Sequence, residues 1–149
     1  MDSIFKVAEI QVKYKPRKKL GPKIDDSNEA ASILRTFYNQ DTINLQEEFI
    51  VLYLNNASNV IGVYKSSKGG INSTIVDIRI ILSVGLKLAC SSIILSHNHP
   101  SGNMRPSNDD IKLTKKIYEA GKLLDIIIID HIIISSNLNF YSLAENNDF

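Results

Sequence analysis

The sequence predicts an α/β domain, a mixed-sheet sandwich with flanking helices in a single unit. Three observations carry that expectation. Two short apolar runs, residues 49–54 and 60–64, flank the turn-forming stretch Asn55, Asn56, Ala57, Ser58 and Asn59, and together read as a β-hairpin. Helical patterns begin near Asp26, Asp77 and Ser107 and alternate loosely with strand-like segments. Residues 124–134 form a continuous, largely β-branched run, as expected of a central strand covered on both faces.

Taken in chain order, residues 7–14 alternate in part and lead to Pro16, which predicts an edge strand. Residues 15–23 are basic and contain Pro16, Gly21 and Pro22, so they read as a loop. A helix starts at Asp26, with Glu29 three residues on as in a capping box; Ala30, Ile33, Leu34 and Phe37 keep helical spacing and define its inward face. Beyond the hairpin, Gly69 and Gly70 open a loop. A second helix is expected from Asp77 to about Ala89. Its polar residues Arg79, Ser83 and Lys87 form one narrow stripe, so burial over most of its circumference is predicted. Residues 92–96 read as a strand and residues 97–106 as a polar loop. A third helix should run from about Ser107 to Gly121, with Ile111, Ile117 and Tyr118 inward and Gly121 as its C-terminal stop. Residues 139–143 add a last short strand. With no repeat and no low-complexity linker, the expectation is one domain over residues 1–149. Residues 1–45 supply the N-terminal strand, basic loop and helix, and residues 46–144 the core that holds the chemistry.

A chain of 149 residues is long enough to bury such a core. Seventeen basic and sixteen acidic residues leave a formal charge of +1, so the global balance selects no partner. Cys90 is the only cysteine, which excludes an internal disulfide and suits a reducing compartment; following an apolar stretch, it reads as an inert buried thiol. Residues 1–11 lack the continuous apolar core of a signal peptide. The most apolar segment, residues 126–134, is interrupted by Asp130 and His131 and is too short to span a bilayer. These features predict a soluble, cytoplasmic protein.

His97 and His99 stand two apart at the end of a predicted strand, so extended geometry would send both imidazoles to one side, Asn98 to the other, and both rings to one metal. Asp110, in the first turn of the following helix, would complete a His, His, Asp set, leaving the fourth position of a tetrahedral zinc for water. Manganese, iron and cobalt accept similar ligands. The same Ser107-x-x-Asp110 spacing is also that of a capping serine followed by an acidic residue favoured by the helix dipole. The two readings are compatible, because a capped helix start aims the carboxylate. A general base is needed as well, and Glu47 and Glu48 both stand at the start of the 49–54 strand.

His97-x-His99, seven residues, Ser107, two residues, Asp110, with an upstream glutamate beside an apolar strand, resembles the JAMM motif of the JAB/MPN metalloprotease superfamily. The stretch from Ser96 through His97, Asn98, His99, Pro100, Ser101 and Gly102, then Pro106, Ser107, Asp110 and Thr114, resembles the RadC-like branch. Residues 70–74, Leu124, Asp125, Asp130 and His131 extend the likeness, which covers roughly residues 46–144. The resemblance implies a JAB/MPN-like fold with cytidine-deaminase-like layering, and a zinc metallopeptidase or isopeptidase acting on a peptide or protein. It implies His97, His99 and Asp110 as zinc ligands, and Ser107 as the residue that orients the water or stabilises the oxyanion. It makes Glu47, two positions before Phe49, the proton shuttle; superfamily members with glutamate directly before an apolar residue keep Glu48 open, and strand alternation lets only one of the two face the metal. Longer RadC-like proteins carry an N-terminal helix-hairpin-helix region, for which the first 45 residues show no pattern. The alternative implied by the family is a DNA-repair-associated accessory protein without peptidase activity.

Two further features stand beside this site. Lys13, Lys15, Arg17, Lys18, Lys19 and Lys23 form a basic run that reads either as a solvated loop or as a contact for nucleic acid. His131, beside Asp130 in an apolar strand, reads either as a structural histidine or as a hydrogen-bond partner for a ligand histidine.

Overall fold

The most apolar segments of the chain end up side by side. A computed structural model describes residues 7–69 and 76–149. Strands β1 (Glu48–Leu54) and β2 (Val60–Lys68) form the expected hairpin, β3 is Ser92–Asn98, β4 Ile127–Ile134 and β5 Phe140–Ser142. Among the described residues these make one sheet in the order β2-β1-β3-β4-β5, with β3 and β4 parallel and the other pairs antiparallel. Helix α1 is Ser27–Arg35, α2 Ile78–Leu88 and α3 Asn108–Leu123. Gly70 and the rest of residues 70–74, and residues 1–6, lie outside the described residues.

Strand alternation divides the core into two layers. Ile50, Leu52 and Leu54 of β1, with Ile94 of β3 and Ile132 and Ile134 of β4, pack toward Ala30, Ala31 and Leu34 of α1. Phe49, Val51 and Tyr53, with Ile93 and Leu95, pack toward Ile81 and Leu82 of α2 and Ile117 of α3. The result is a mixed sheet between α1 on one face and α2 and α3 on the other. Ile24, Tyr38 and Ile43 belong to the α1 layer, so residues flanking α1 are part of the same core as the sheet.

Each helix start is a cap. Asp26 accepts from the Glu29 amide at 2.8 Å, although Glu29 returns its carboxylate to the Asp25 amide rather than to that of Asp26. Asp77 caps α2 and Ser107 caps α3.

Several expectations need correction. Residues 7–14 pair with no strand and are exposed, Val7 at 83% and Ile10 at 81%; residues 7–22 form neither helix nor strand. Alternation supplies two faces, but a strand also needs a partner edge and a surface to cover. Helix α2 buries Ile81, Leu82 and Gly85 but exposes Ile80 and Leu86, so it is covered on one side rather than nearly all round. Gly121 does not stop α3, which runs on to Leu123; it is there because a Cβ would stand 2.6 Å from the Ile126 carbonyl oxygen where the chain turns back toward β4. Strand β4 begins at Ile127, and its first half is an edge with Ile127 and Ile129 exposed, because β5 pairs only with Ile132–Ile134. Strand β3 continues two residues beyond the expected end, carrying His97 and Asn98 within it.

Pairing of β3 with β4 contains one irregularity. Ile93 stands opposite Ile128 but Ile94 stands opposite Asp130, so Ile129 is an extra residue in β4. Ile128 faces α2 and α3, whereas Ile132 faces α1. The bulge therefore inverts the alternation, and His131, paired with Leu95, lies on the α3 side. On the other side Asp130 accepts from the Ser142 hydroxyl at 2.6 Å and the Ala144 amide at 3.0 Å, which anchors β5. Among the described residues no helix is long and apolar enough to cross a membrane.

Candidate metal centre

Three elements bring side chains together at one end of the sheet. His97, the last residue but one of β3, lies on the α3 side, held parallel to the ring of Phe49, the residue paired with it on β1. Its Nε2 lies 2.8 Å from Nε2 of His99, just past the strand. Asp110, in the first turn of α3, places Oδ2 at 3.4 Å from both of these nitrogens. The Ser107 cap fixes that carboxylate: the Asp110 amide donates to Ser107 Oγ at 3.1 Å, and the Ser107 amide donates to Asp110 Oδ2 at 2.8 Å. One aspartate thus closes the capping box and meets the histidines with the same oxygen.

Glu47 precedes β1 and offers a carboxylate oxygen in a group with the two histidines, all three ligand atoms lying within 4.8 Å of one another. Glu48 points the other way. Its carboxylate is buried on the α1 side, 3.5 Å from the Asn39 amide and 3.6 Å from Lys68 Nζ, the latter an ion pair too long to be a hydrogen bond. Adjacent glutamates are divided between the two faces by strand geometry alone. Glu47, His99, Ser101, Arg105 and Ser107 line an open cleft of about 420 Å³ over this cluster.

Burial works against the charged form of Asp110, but His97 and His99 outweigh it and hold the carboxyl far below the usual range. Burial likewise disfavours protonated His99, yet Asp110 and the Asn103 carbonyl prevail and raise its pKa. Both shifts describe a point where positive charge is stabilised. Donor chemistry agrees: two imidazole nitrogens and one or two carboxylates, without sulfur, suit a borderline divalent cation. Ligand atoms around a tetrahedral cation with bonds of about 2.0–2.2 Å stand about 3.3–3.5 Å apart. The distances from Asp110 meet that spacing, and the histidine pair needs to open by about half an ångström to reach it. His97, His99 and Glu47 or Asp110 can therefore hold a metal ion.

Asn98, Asn103, Thr114 and His131 complete the setting, His131 as the hydrogen-bond partner of His97. Asn98, fully buried between the histidines, donates to the Ile43 carbonyl at 2.7 Å and the Gln46 carbonyl at 2.8 Å, and accepts from the Glu48 amide at 2.7 Å. It brackets Glu47 from both sides and ties that backbone to the histidine strand. Asn103 presents its carbonyl to His99 Nδ1 at 2.5 Å. On the far side of His97, Nδ1 meets His131 Nε2 at 2.7 Å, and His131 Nδ1 meets Thr114 Oγ1 at 2.6 Å. Full burial, helped by His97, holds the His131 pKa well below the ordinary imidazole value. Hydrophobic pattern is blind to Asn98 and Thr114, since both are polar residues buried by virtue of their partners; the signals were the alternation that sends Asn98 away from the metal and the RadC-like likeness, which includes both residues.

A sheet whose strand ends gather imidazoles and carboxylates beneath a cleft fits a domain of the metal-hydrolase type. The chain belongs to the RadC-like JAB domain family, whose model matches residues 24–148. It is similar to the UPF0758 protein of Flavobacterium johnsoniae, with 42% identity over 127 residues, 85% of this chain and 54% of that protein. The UPF0758 proteins of Alkaliphilus metalliredigens and Porphyromonas gingivalis are 46% and 41% identical over 102 and 100 residues, covering 68% and 67% of this chain and 44% of each relative. The chain thus spans about half the length of these curated relatives.

Proposed function

We propose that this domain is a zinc-dependent hydrolase of amide bonds, a metallopeptidase or isopeptidase. The observation that carries this reading is the convergence of His97 Nε2, His99 Nε2 and Asp110 Oδ2 within 3.4 Å of one another, with Glu47 beside them in an open cleft. His97, His99 and Asp110 would hold the zinc; Asp110, at 3.4 Å, is the carboxylate committed to the histidine pair. When bound, zinc supplies Lewis acidity, polarising a carbonyl and making water acid enough to ionise near neutral pH.

Glu47 remains for proton transfer. Its carboxylate takes a proton from the attacking water and later delivers it to the leaving amine. Ser107 Oγ already accepts from the Asp110 amide, which leaves its own proton free to donate toward the cleft, where negative charge develops on the carbonyl oxygen. A peptide or protein is the substrate class that the family resemblance implies for this cleft.

A peptide-library cleavage assay, with metal analysis of the same preparations, tests this. Wild type should carry about one equivalent of zinc and cleave, and Glu47→Gln should keep the metal while cleavage falls by about 10²–10⁴-fold. Full cleavage by Glu47→Gln would overturn the base assignment. Zinc below about a tenth of an equivalent after chelator-free preparation would overturn the metal centre itself.

A further inference from the structure

We infer that His131 and Thr114 are positioning residues forming a one-way hydrogen-bond relay, which sets the tautomer of His97 so that its bare Nε2 faces the metal. The inference rests on the metal centre proposed above and adds two residues to it.

The direction of the relay is dictated at one end. The Asp110 main-chain carbonyl can only accept, and it stands 2.6 Å from Thr114 Oγ1. The single hydroxyl proton of Thr114 goes there. The same Oγ1 is 2.6 Å from His131 Nδ1 and has no second proton to give, so it accepts and His131 Nδ1 carries the hydrogen. A neutral imidazole protonated at Nδ1 has its lone pair at Nε2. That atom is 2.7 Å from His97 Nδ1, which must therefore be the donor. His97 Nε2 is left with a lone pair aimed at His99 Nε2 and Asp110 Oδ2.

His99 reaches the same tautomer by a shorter route, since its Nδ1 faces the Asn103 carbonyl. Two unrelated anchors thus present two Nε2 lone pairs at one point. Thr114 and His131 are fully buried and His97 is 3% exposed, so water offers no competing partner. The relay also begins and ends on residues of the centre: it runs from Asp110 on α3 through β4 to His97 on β3. Outer partners of this kind typically change metal affinity 10–100-fold when removed.

The chain has only three histidines, so long-range 1H–15N spectra of the ring nitrogens resolve each one. In the zinc-loaded wild type, His131 should carry its proton on Nδ1, and His97 should be protonated at Nδ1 and metallated at Nε2. His131 protonated at Nε2 would overturn the relay. Thr114→Val should weaken zinc binding, measured by competition with a chromophoric chelator, by about 10–100-fold, and release His131 and His97 from their tautomers. Thr114→Ser, which keeps the hydroxyl, should stay within about threefold of wild type. A merely structural threonine would lower the melting temperature and leave the tautomers alone. Wild-type zinc affinity in a folded Thr114→Val protein would also overturn the inference. If Thr114→Val does not fold, the wild-type spectrum decides alone. If wild type takes up no zinc, the metal centre falls, and the spectrum of the metal-free protein still reports the direction of the relay.

Discussion

On the face covered by α1, the polar groups at the histidine end of the sheet are Tyr38, Ser96, Asn98 and Glu48; on the face covered by α2 and α3 they are Glu47, His97 and His131. Both sets are buried; Glu47 and Glu48 alternate at the start of β1, and Ser96, His97 and Asn98 alternate at the end of β3. On the α1 face the hydrogen bonds close on themselves. Tyr38 and Ser96 share one at 2.7 Å, and Asn98 spends its amide on three backbone partners. On the other face they are directed toward the metal centre: His131 spends both ring nitrogens on Thr114 and His97, and His97 turns its Nε2 toward His99 and Asp110. The comparison teaches that one backbone serves two purposes, with odd positions of β1 and β3 holding chemistry and even positions holding the loop that carries it.

The largest effect that should separate the faces is at the glutamates. If Glu47→Gln loses cleavage by about 10²–10⁴-fold, Glu48→Gln should remain within about threefold, because its carboxylate lies beyond the sheet. Parallel loss in both variants would break the division. Next in size is the metal. His99→Ala should weaken zinc binding beyond the roughly 100-fold that an outer partner contributes, whereas Ser96→Ala, three residues away on the α1 face, should leave affinity unchanged and cost about 1 kcal/mol in urea unfolding.

Smaller again is Asn98→Ala. Three buried hydrogen bonds at about 1 kcal/mol each predict a loss of about 3 kcal/mol, and a loss under 1 kcal/mol would show that the loop before β1 is held by other means. The smallest concerns Cys90, on the α2 side, where burial pushes the thiol up to about 11. A raised folded-state pKa contributes stability below the unfolded thiol value of about 8.5 and loses it as pH climbs toward 11. Native protein at pH 8 should therefore react with a thiol reagent far more slowly than urea-unfolded protein, and equal rates would show that this layer opens readily.

Much of this architecture is written in local signals. Asp26, Asp77 and Ser107 mark helix starts because capping is a matter of a few adjacent residues, and the hairpin follows from two apolar runs and an asparagine-rich turn. Spacing alone left Asp110 open between helix cap and ligand; His97, His99 and Asp110 stood out as a set through the resemblance of their joint pattern with Ser107 to the JAMM motif. What escaped depends on partners far along the chain. Residues 7–14 have the alternation of a strand without the neighbour that makes one. The end of β3 was hidden because His97 and Asn98 are polar, and only contacts from β1, α3 and β4 make them buried. Helix α2 reads as all but enclosed, yet whether Ile80 and Leu86 are covered depends on what packs there.

The extra residue at Ile129 gives β4 something like two reading frames. Upstream of it odd and even positions mean one thing, and downstream the opposite. Substituting Ile129, which is exposed, changes little in that arrangement; deleting it would restore a regular ladder and leave Asp130 opposite Ile94 and His131 opposite Leu95, still turned toward the histidine cluster. The orientation of His131 thus rests on its pairing with Leu95, and not on the number of residues between Ile128 and Asp130.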